Sequence, residues 1–355
     1  MYKIQFVAKQ SQSAQEGYGY TIDSLWKHIG SSELPIFFEK NLLPKEIIKL
    51  QNGISGFGYF KNTNIDGDIA INISTPDGFT KSNIYTVGFT FWETNKLPVD
   101  WVEKCNETDE VWTCSKAMQN VFINSGVIKP VYEFDLGVDP KIYFPQKRTP
   151  HNQFTFLSIG SPSTRKNSQM SVDAFLKLFD GNYNYKLIYK SMGPGDARLY
   201  KGTIHQNSID NHSQIEVIDY GVSHEELASI YDRADCLLYP TSGEGWGLIP
   251  FQAIAKGIPT ICTNVLACTE FAKMSVPLNF TWGTKNMSGI YLNAGQWAEP
   301  DFDDLCDKML YVVNNYAEVC DKTYQGAEFI NQNMTWEKVS QKYINRMKKI
   351  LNQTK

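Results

Sequence analysis

Residues 242–264, SGEGWGLIPFQAIAKGIPTICTN, set one carboxylate, Glu244, among three glycines, Gly243, Gly245 and Gly247. Pro250, just beyond, suits the first turn of a helix, where no amide hydrogen is required. Gly257 suits a left-handed helix stop, and Pro259 prevents the helix from continuing. The stretch therefore reads as a strand end, a glycine-rich turn, a short helix and a second strand. The helix opens just after Gly247, so its free N–H groups and positive dipole end point into the turn. Anion-binding amides beside a carboxylate suit a ligand that carries both phosphate and hydroxyls, and a nucleotide-sugar is such a ligand. The same glycines would also serve an ordinary strand–turn–helix unit, where they only permit tight packing.

Cations accompany this carboxylate. After the apolar segment FTFLSIG (154–160) comes SPSTRKNSQ, with Arg165 and Lys166 in a turn before a helix. A guanidinium grips phosphate with a planar fork, and an ammonium acts as a mobile point charge. The pair reads as a diphosphate clamp or as a solvated basic turn. Lys190 ends the apolar segment YKLIYK and either faces a ligand or snorkels to solvent. In the first half Glu93 ends IYTVGFTFWE, Ser115 follows DEVWTC, and Gly17 and Gly19 fall in a loop after the first strand. Their structural alternatives are a surface strand-end carboxylate, a helix cap and a plain turn. Asp66-Gly67-Asp68 resembles a metal-binding pair but reads as a turn between strands, and no metal is expected.

The elements that position these residues alternate. The first half carries a strand over Lys3 to Ala8 and a helix from about Thr21 to Ile29. Strands at 84–93 and 109–115 and a helix from Lys116 to Ser125 follow. The second half places strands at 154–160, 185–190, 215–220 and 235–240 and a helix over Ser168 to Phe179. A second helix, running to about Arg233, opens on the capping-box spacing Ser223-x-x-Glu226. Strands alternating with helices imply right-handed βαβ units and a parallel sheet covered on both faces. Ligands of such sheets bind beyond the carboxyl ends of the strands. Arg165, Lys166, Lys190 and Glu244 should then gather on one rim. The proline-rich stretch near 140–152 reads as a linker. It gives a first domain over 1–145, a second over 146–335, and a basic amphipathic helix over 336–355 that packs across their junction.

Bulk properties bound the reading. A chain of 355 residues is typical of two domains. Apolar content of 42% and charged content of 20% describe a globular protein, and a net charge of −4 gives no hint of a general polyanion binder. Seven scattered cysteines form no CxxC pair and point to reduced thiols in the cytoplasm. No export signal is recognised, and no run approaches the roughly 18 apolar residues of a membrane span.

STRKN, LIYK, GVSHEELASIYDRADCLLYPTSGEGWGLIPFQAIAKGIPTICTN and LGVDPKIYFP together resemble the retaining family 4, or group 1, glycosyltransferases. WETNKLPVDWVEKCNETDEVWTCS resembles a subgroup of them. The likeness runs over roughly residues 84–345 and fades in the first 80. It implies an α/β GT-B fold, two Rossmann-like domains whose parallel sheets face a central cleft. It also implies transfer of a hexosyl or pentosyl group from a nucleotide-diphosphate donor to a glycan, lipid-linked or other hydroxyl acceptor, with retention and without metal or cofactor. Arg165 and Lys166, with Lys190, would hold the diphosphate. Glu244 would meet the sugar hydroxyls, and Gly243, Gly245, Trp246, Gly247 and Leu248 would bring the backbone to phosphate and sugar. A second glutamate normally binds the ribose, and Gln252 stands in its place. An amide still accepts a hydroxyl hydrogen bond, without the charge-assisted strength. Many relatives carry a first-domain histidine near the reacting sugar, but no histidine occurs between His28 and His151. Glu93 is the candidate for that region, and Ser115, Gly17 and Gly19 for contacts to the donor. These departures keep a second reading open, a decayed nucleotide-sugar-binding or scaffold protein. Transfer to modified DNA is a third, which the charge balance does not favour.

Overall fold

The computed structural model describes residues 2–7, 17–30, 36–41, 67–191, 212–285 and 289–353. Two six-stranded sheets, parallel throughout, organise them. The first joins β1 (Tyr2–Val7), β2 (Ile36–Asn41), β3 (Ile69–Ile73), β4 (Tyr85–Phe89), β5 (Glu110–Thr113) and β6 (Val131–Glu133) in the order β2-β1-β3-β4-β5-β6. Residues of β3 and β4 such as Ile69, Ile71, Val87 and Phe89 are fully buried, as strands covered on both faces require. Helices α1 (Gly17–Gly30), α2 (Val99–Glu107) and α3 (Lys116–Ser125) belong to this lobe. The Ser115 hydroxyl caps α3 by accepting the Met118 amide, and Gly126 closes the helix at φ 111°.

The second sheet joins β7 (Phe154–Ile159), β8 (Tyr185–Lys190), β9 (Ile215–Ile218), β10 (Cys236–Tyr239), β11 (Thr260–Thr263) and β12 (Val276–Leu278) in the order β12-β11-β10-β7-β8-β9. Its helices are α4 (Ser168–Phe179), α5 (His224–Asp232) and α6 (Leu248–Ala255). The capping box at Ser223 and Glu226 forms as its spacing predicts. Strand order reverses between β7 and β10, so a crevice opens beyond their carboxyl ends.

Helices α7 (Phe302–Asn314) and α8 (Tyr316–Asn333) cover this lobe, and the chain then crosses back. At the crossing Val138 and Thr335 form a parallel bridge, and a Cβ on Gly137 would lie 2.5 Å from the Trp336 amide. Helix α9 (Trp336–Gln353) packs on the first lobe. Tyr343 donates to the Phe134 carbonyl at 3.2 Å, and Arg346 pairs with buried Glu110. An antiparallel hairpin of β13 (Phe280–Gly283) and β14 (Trp297–Pro300), absent from the sequence reading, reaches from the second lobe to the first. One apolar cluster runs through both lobes, and a second lies within the second lobe.

Two sequence expectations shift. The strand expected to reach Glu93 stops at Phe89, which leaves Thr90 to Glu93 as a loop free to turn toward the other lobe. Gly17 and Gly19 lie in the first turn of α1 rather than in a loop ahead of it. Of the Asp66-Gly67-Asp68 turn, Gly67, at φ 138°, and Asp68 form a bend into β3, and Asp66 is outside the described residues.

Candidate active site

The turn after β7 and the turn after β10 are stitched together at the switch crevice. Ser242 N–H donates to the Arg165 carbonyl at 2.7 Å. Asn167, in the left-handed region at φ 51°, donates to Pro240 O at 2.8 Å and Ser242 Oγ at 2.7 Å. This weave aims Arg165, Lys166 and Glu244 at one point. Glu244 Oε1 accepts from Lys166 Nζ at 2.7 Å, Thr241 Oγ1 at 2.8 Å and Tyr239 OH at 3.1 Å, and Arg165 lies 3.1 Å away. Glu244 Oε2 takes no hydrogen bond among the described residues. Burial alone would raise the Glu244 pKa, but Lys166 and Arg165 outweigh it and hold the carboxyl at about 2. Burial likewise opposes the Arg165 charge, yet Glu244 and Glu93 hold it above its usual value.

Glu93 enters from the first lobe on the loop after β4. It is half-buried and accepts from Tyr291 OH at 3.3 Å. Tyr291 belongs to the β13–β14 hairpin and stacks on Trp92 at 5.3 Å. Desolvation raises the Glu93 pKa against the pull of Arg165, and Glu244 adds to the rise. Lys285, also on the hairpin, donates to Thr164 O at 2.7 Å and Asn167 Oδ1 at 3.1 Å, which braces the turn that carries Arg165 and Lys166. Sequence reasoning gave no signal for Tyr291 or Lys285. Tyr239 ends an apolar strand and Thr241 follows it, a setting that gives no sequence signal for their bonds to Glu244.

The glycines play different parts. Gly247, at φ 94°, starts α6, and no other residue type adopts that angle readily. A Cβ on Gly243 would lie 3.0 Å from the Glu93 carbonyl carbon, and one on Gly245 would lie 2.6 Å from Phe91 Cβ. The missing side chains of Gly243 and Gly245 therefore admit the first lobe. Trp246 is buried against Phe251 and Phe271, its ring belonging to the core.

Lys190 does not join the ionic cluster. Its ammonium donates to the Ser191 carbonyl and lines a neighbouring cavity of about 80 Å³ with Gln252, Leu248, Tyr20 and His224. The strand ends expected to share one rim thus serve two adjoining compartments. Gln252 is buried, and its Oε1 has no hydrogen-bond partner among the described residues. Ser115 caps α3, while its neighbour Cys114 donates to the Gly245 carbonyl. All seven cysteines are buried free thiols. Among the described residues no group of three or more His, Cys, Asp or Glu side chains is placed to hold a metal ion, and no helix is long and apolar enough to cross a membrane.

Two parallel-sheet lobes closing on a charged crevice at the switch point are the GT-B architecture, and solved structures agree. Sucrose-phosphate synthase from Thermosynechococcus elongatus superposes with a TM-score of 0.71 at 12% identity, over 99% of this chain and 100% of that one. HepE of Anabaena, solved with UDP and glucose, superposes with a TM-score of 0.69 at 11% identity, over 98% and 100%. The family described as Family 4 Glycosyltransferase in conflict systems matches residues 114–343, and the chain belongs to it. That match begins later than the roughly 84 expected from the motifs. Among curated relatives, the uncharacterized glycosyltransferase MJ1178 of Methanocaldococcus jannaschii is 28% identical over 184 residues, 51% of this chain and 44% of its own length. The serotype-specific mannosyltransferase WbdA of Escherichia coli is 26% identical over 170 residues, 42% of this chain and 20% of its own. The chain thus spans less than half the length of these relatives.

Proposed function

We propose that the chain is a retaining glycosyltransferase that moves a sugar from a nucleoside-diphosphate donor to a hydroxyl acceptor. The observation that carries the reading is Glu244 itself. Its Oε1 is fixed by Lys166, Thr241 and Tyr239 with Arg165 alongside, while Oε2 is left for a ligand's hydroxyls. Arg165, Lys166 and the open end of α6 supply the positive potential that a departing diphosphate needs. They do so in the place where other transferases use a divalent metal, so transfer proceeds in the presence of a chelator. In the adjoining cavity the unpartnered Gln252 Oε1 accepts from the ribose and Lys190 adds charge. The fold class and donor chemistry of HepE, whose structure holds UDP and glucose, accord with this. The acceptor enters from the side of the first lobe, past Glu93. Intact donor geometry at Arg165, Lys166 and Glu244 speaks against a decayed binding protein.

The test is turnover of a panel of nucleotide-sugars, monitored by released nucleoside diphosphate. Lys166→Ala lowers turnover on the order of 10²–10³-fold, by analogy with loss of one oxyanion donor. Near-full transfer by that variant would rule the assignment out.

A further inference from the structure

Glu93 and Glu244 share a crevice, but its cations pair closely with Glu244 alone among the described residues. Both Lys166 and Arg165 lie against Glu244, at 2.7 and 3.1 Å. Among the described residues no cation stands within ion-pair distance of Glu93, and its carboxyl has a single hydrogen bond, from Tyr291 at 3.3 Å. The backbone of the loop that carries Glu93 is pressed against Gly243, the residue before Glu244, and Glu244 acts electrostatically on the Glu93 carboxyl. Arg165 and Lys166 face it from the turn after β7, Glu244 from the turn after β10, and Tyr291 from the hairpin. Its own loop adds only the exposed Lys96.

A diphosphate entering this crevice takes the positive potential of Arg165 and Lys166 for itself. Two carboxylates then face an added anion in a poorly hydrated space, and both cannot stay charged cheaply. Glu244 keeps its hydrogen bonds from Thr241 and Tyr239. Glu93 keeps only the longer bond from a phenol. We propose that Glu93 takes up a proton when a nucleoside diphosphate binds beside Arg165 and Lys166. The occupied site then presents Glu93 as a neutral O–H donor, and Tyr291 is the positioning residue that favours its charged form while the site is empty. Burial and the nearness of Glu244 push Glu93 upward, in the same direction as the added anion. This rests on the donor reading of the crevice.

Isothermal titration of the full chain with UDP and with GDP, at several values between pH 5.5 and 8 and in buffers of unlike ionisation enthalpy, counts the protons exchanged on binding. Wild type is expected to take up close to one proton more per nucleotide than Glu93→Gln at the pH where the difference peaks. Tyr291→Phe, which frees Glu93 to protonate before the ligand arrives, is expected to fall between them. Equal proton counts for wild type and Glu93→Gln across the range, with binding intact, would overturn the proposal and leave the donor reading standing. Absence of binding by either nucleotide would overturn both.

Discussion

Gly245→Ala tests what the motif glycines are for. The added Cβ would lie 2.6 Å from Phe91 Cβ, where ordinary contact begins at 3.4 Å, so one loop must retreat by about 0.8 Å. Phe91 Cβ is tied directly to the backbone, so a side-chain rotation gives no relief. Gly245 has no special backbone angle, so alanine is tolerated in the turn itself and the whole effect falls on the contact between lobes. Overpacking of this kind costs about 1–3 kcal/mol, or roughly 2–4 °C of melting temperature per kcal/mol for lobes of this size. Displacing the loop also moves Glu93 relative to Glu244, and a shift near 1 Å costs on the order of 10² in turnover. Donor affinity changes little, because Arg165, Lys166 and Gln252 all belong to the second lobe. Differential scanning fluorimetry, donor titration and turnover read the three effects separately. A variant with wild-type melting and turnover would refute the steric argument. Collapse of donor affinity at unchanged melting temperature would show instead that Gly245 serves the phosphate. Gly243→Ala, which meets the Glu93 backbone, should be the more severe of the two.

Three further outcomes are expected. Because the Glu244 carboxyl is held at about 2, below its unfolded value, its stabilisation is complete above about pH 5 and is lost as pH falls through 2, amounting to about 3 kcal/mol. Urea melts of wild type and Glu244→Gln between pH 5 and 3 should therefore differ in slope, and parallel curves would contradict the assignment. Gln252→Leu removes an acceptor that none of the described residues uses, so donor binding weakens about tenfold while the melting temperature scarcely moves; ligand-induced thermal shifts decide it. Arg346→Ala strips the guanidinium from fully buried Glu110, which also accepts from Tyr85 OH at 2.9 Å, and should destabilise the chain by about 3–5 kcal/mol. A loss below about 1 kcal/mol in denaturant melts would mean that α9 is not anchored through this pair.

The second lobe was legible because its signals are local. Gly257 and Pro259 stop α6, Ser223 and Glu226 cap α5, and short, mostly apolar runs such as FTFLSI and CLLY fill strands buried on both faces. Short-range sterics and capping hydrogen bonds fix such features within a few residues. Arg165, Lys166 and Glu244 could be gathered for the same reason, since parallel strands deliver their following turns to one edge. The first lobe was harder to read. Gly17 and Gly19 suggest a loop, yet both lie in the opening turn of α1.

Residue order therefore sets which groups stand after which strands, and with it the class of ligand that the second lobe can hold. Whether Lys190 meets Glu244 or Gln252 is settled by packing within the second lobe, and whether Glu93 reaches the crevice, and which side chains hold it there, by packing between lobes. Tyr291 lies 198 positions from Glu93 in the chain, and the hairpin that carries it is placed by its stacking on Trp92 and its bonds to Asn95. A contact of that span depends on the shape of two assembled surfaces, and no local periodicity or spacing records it.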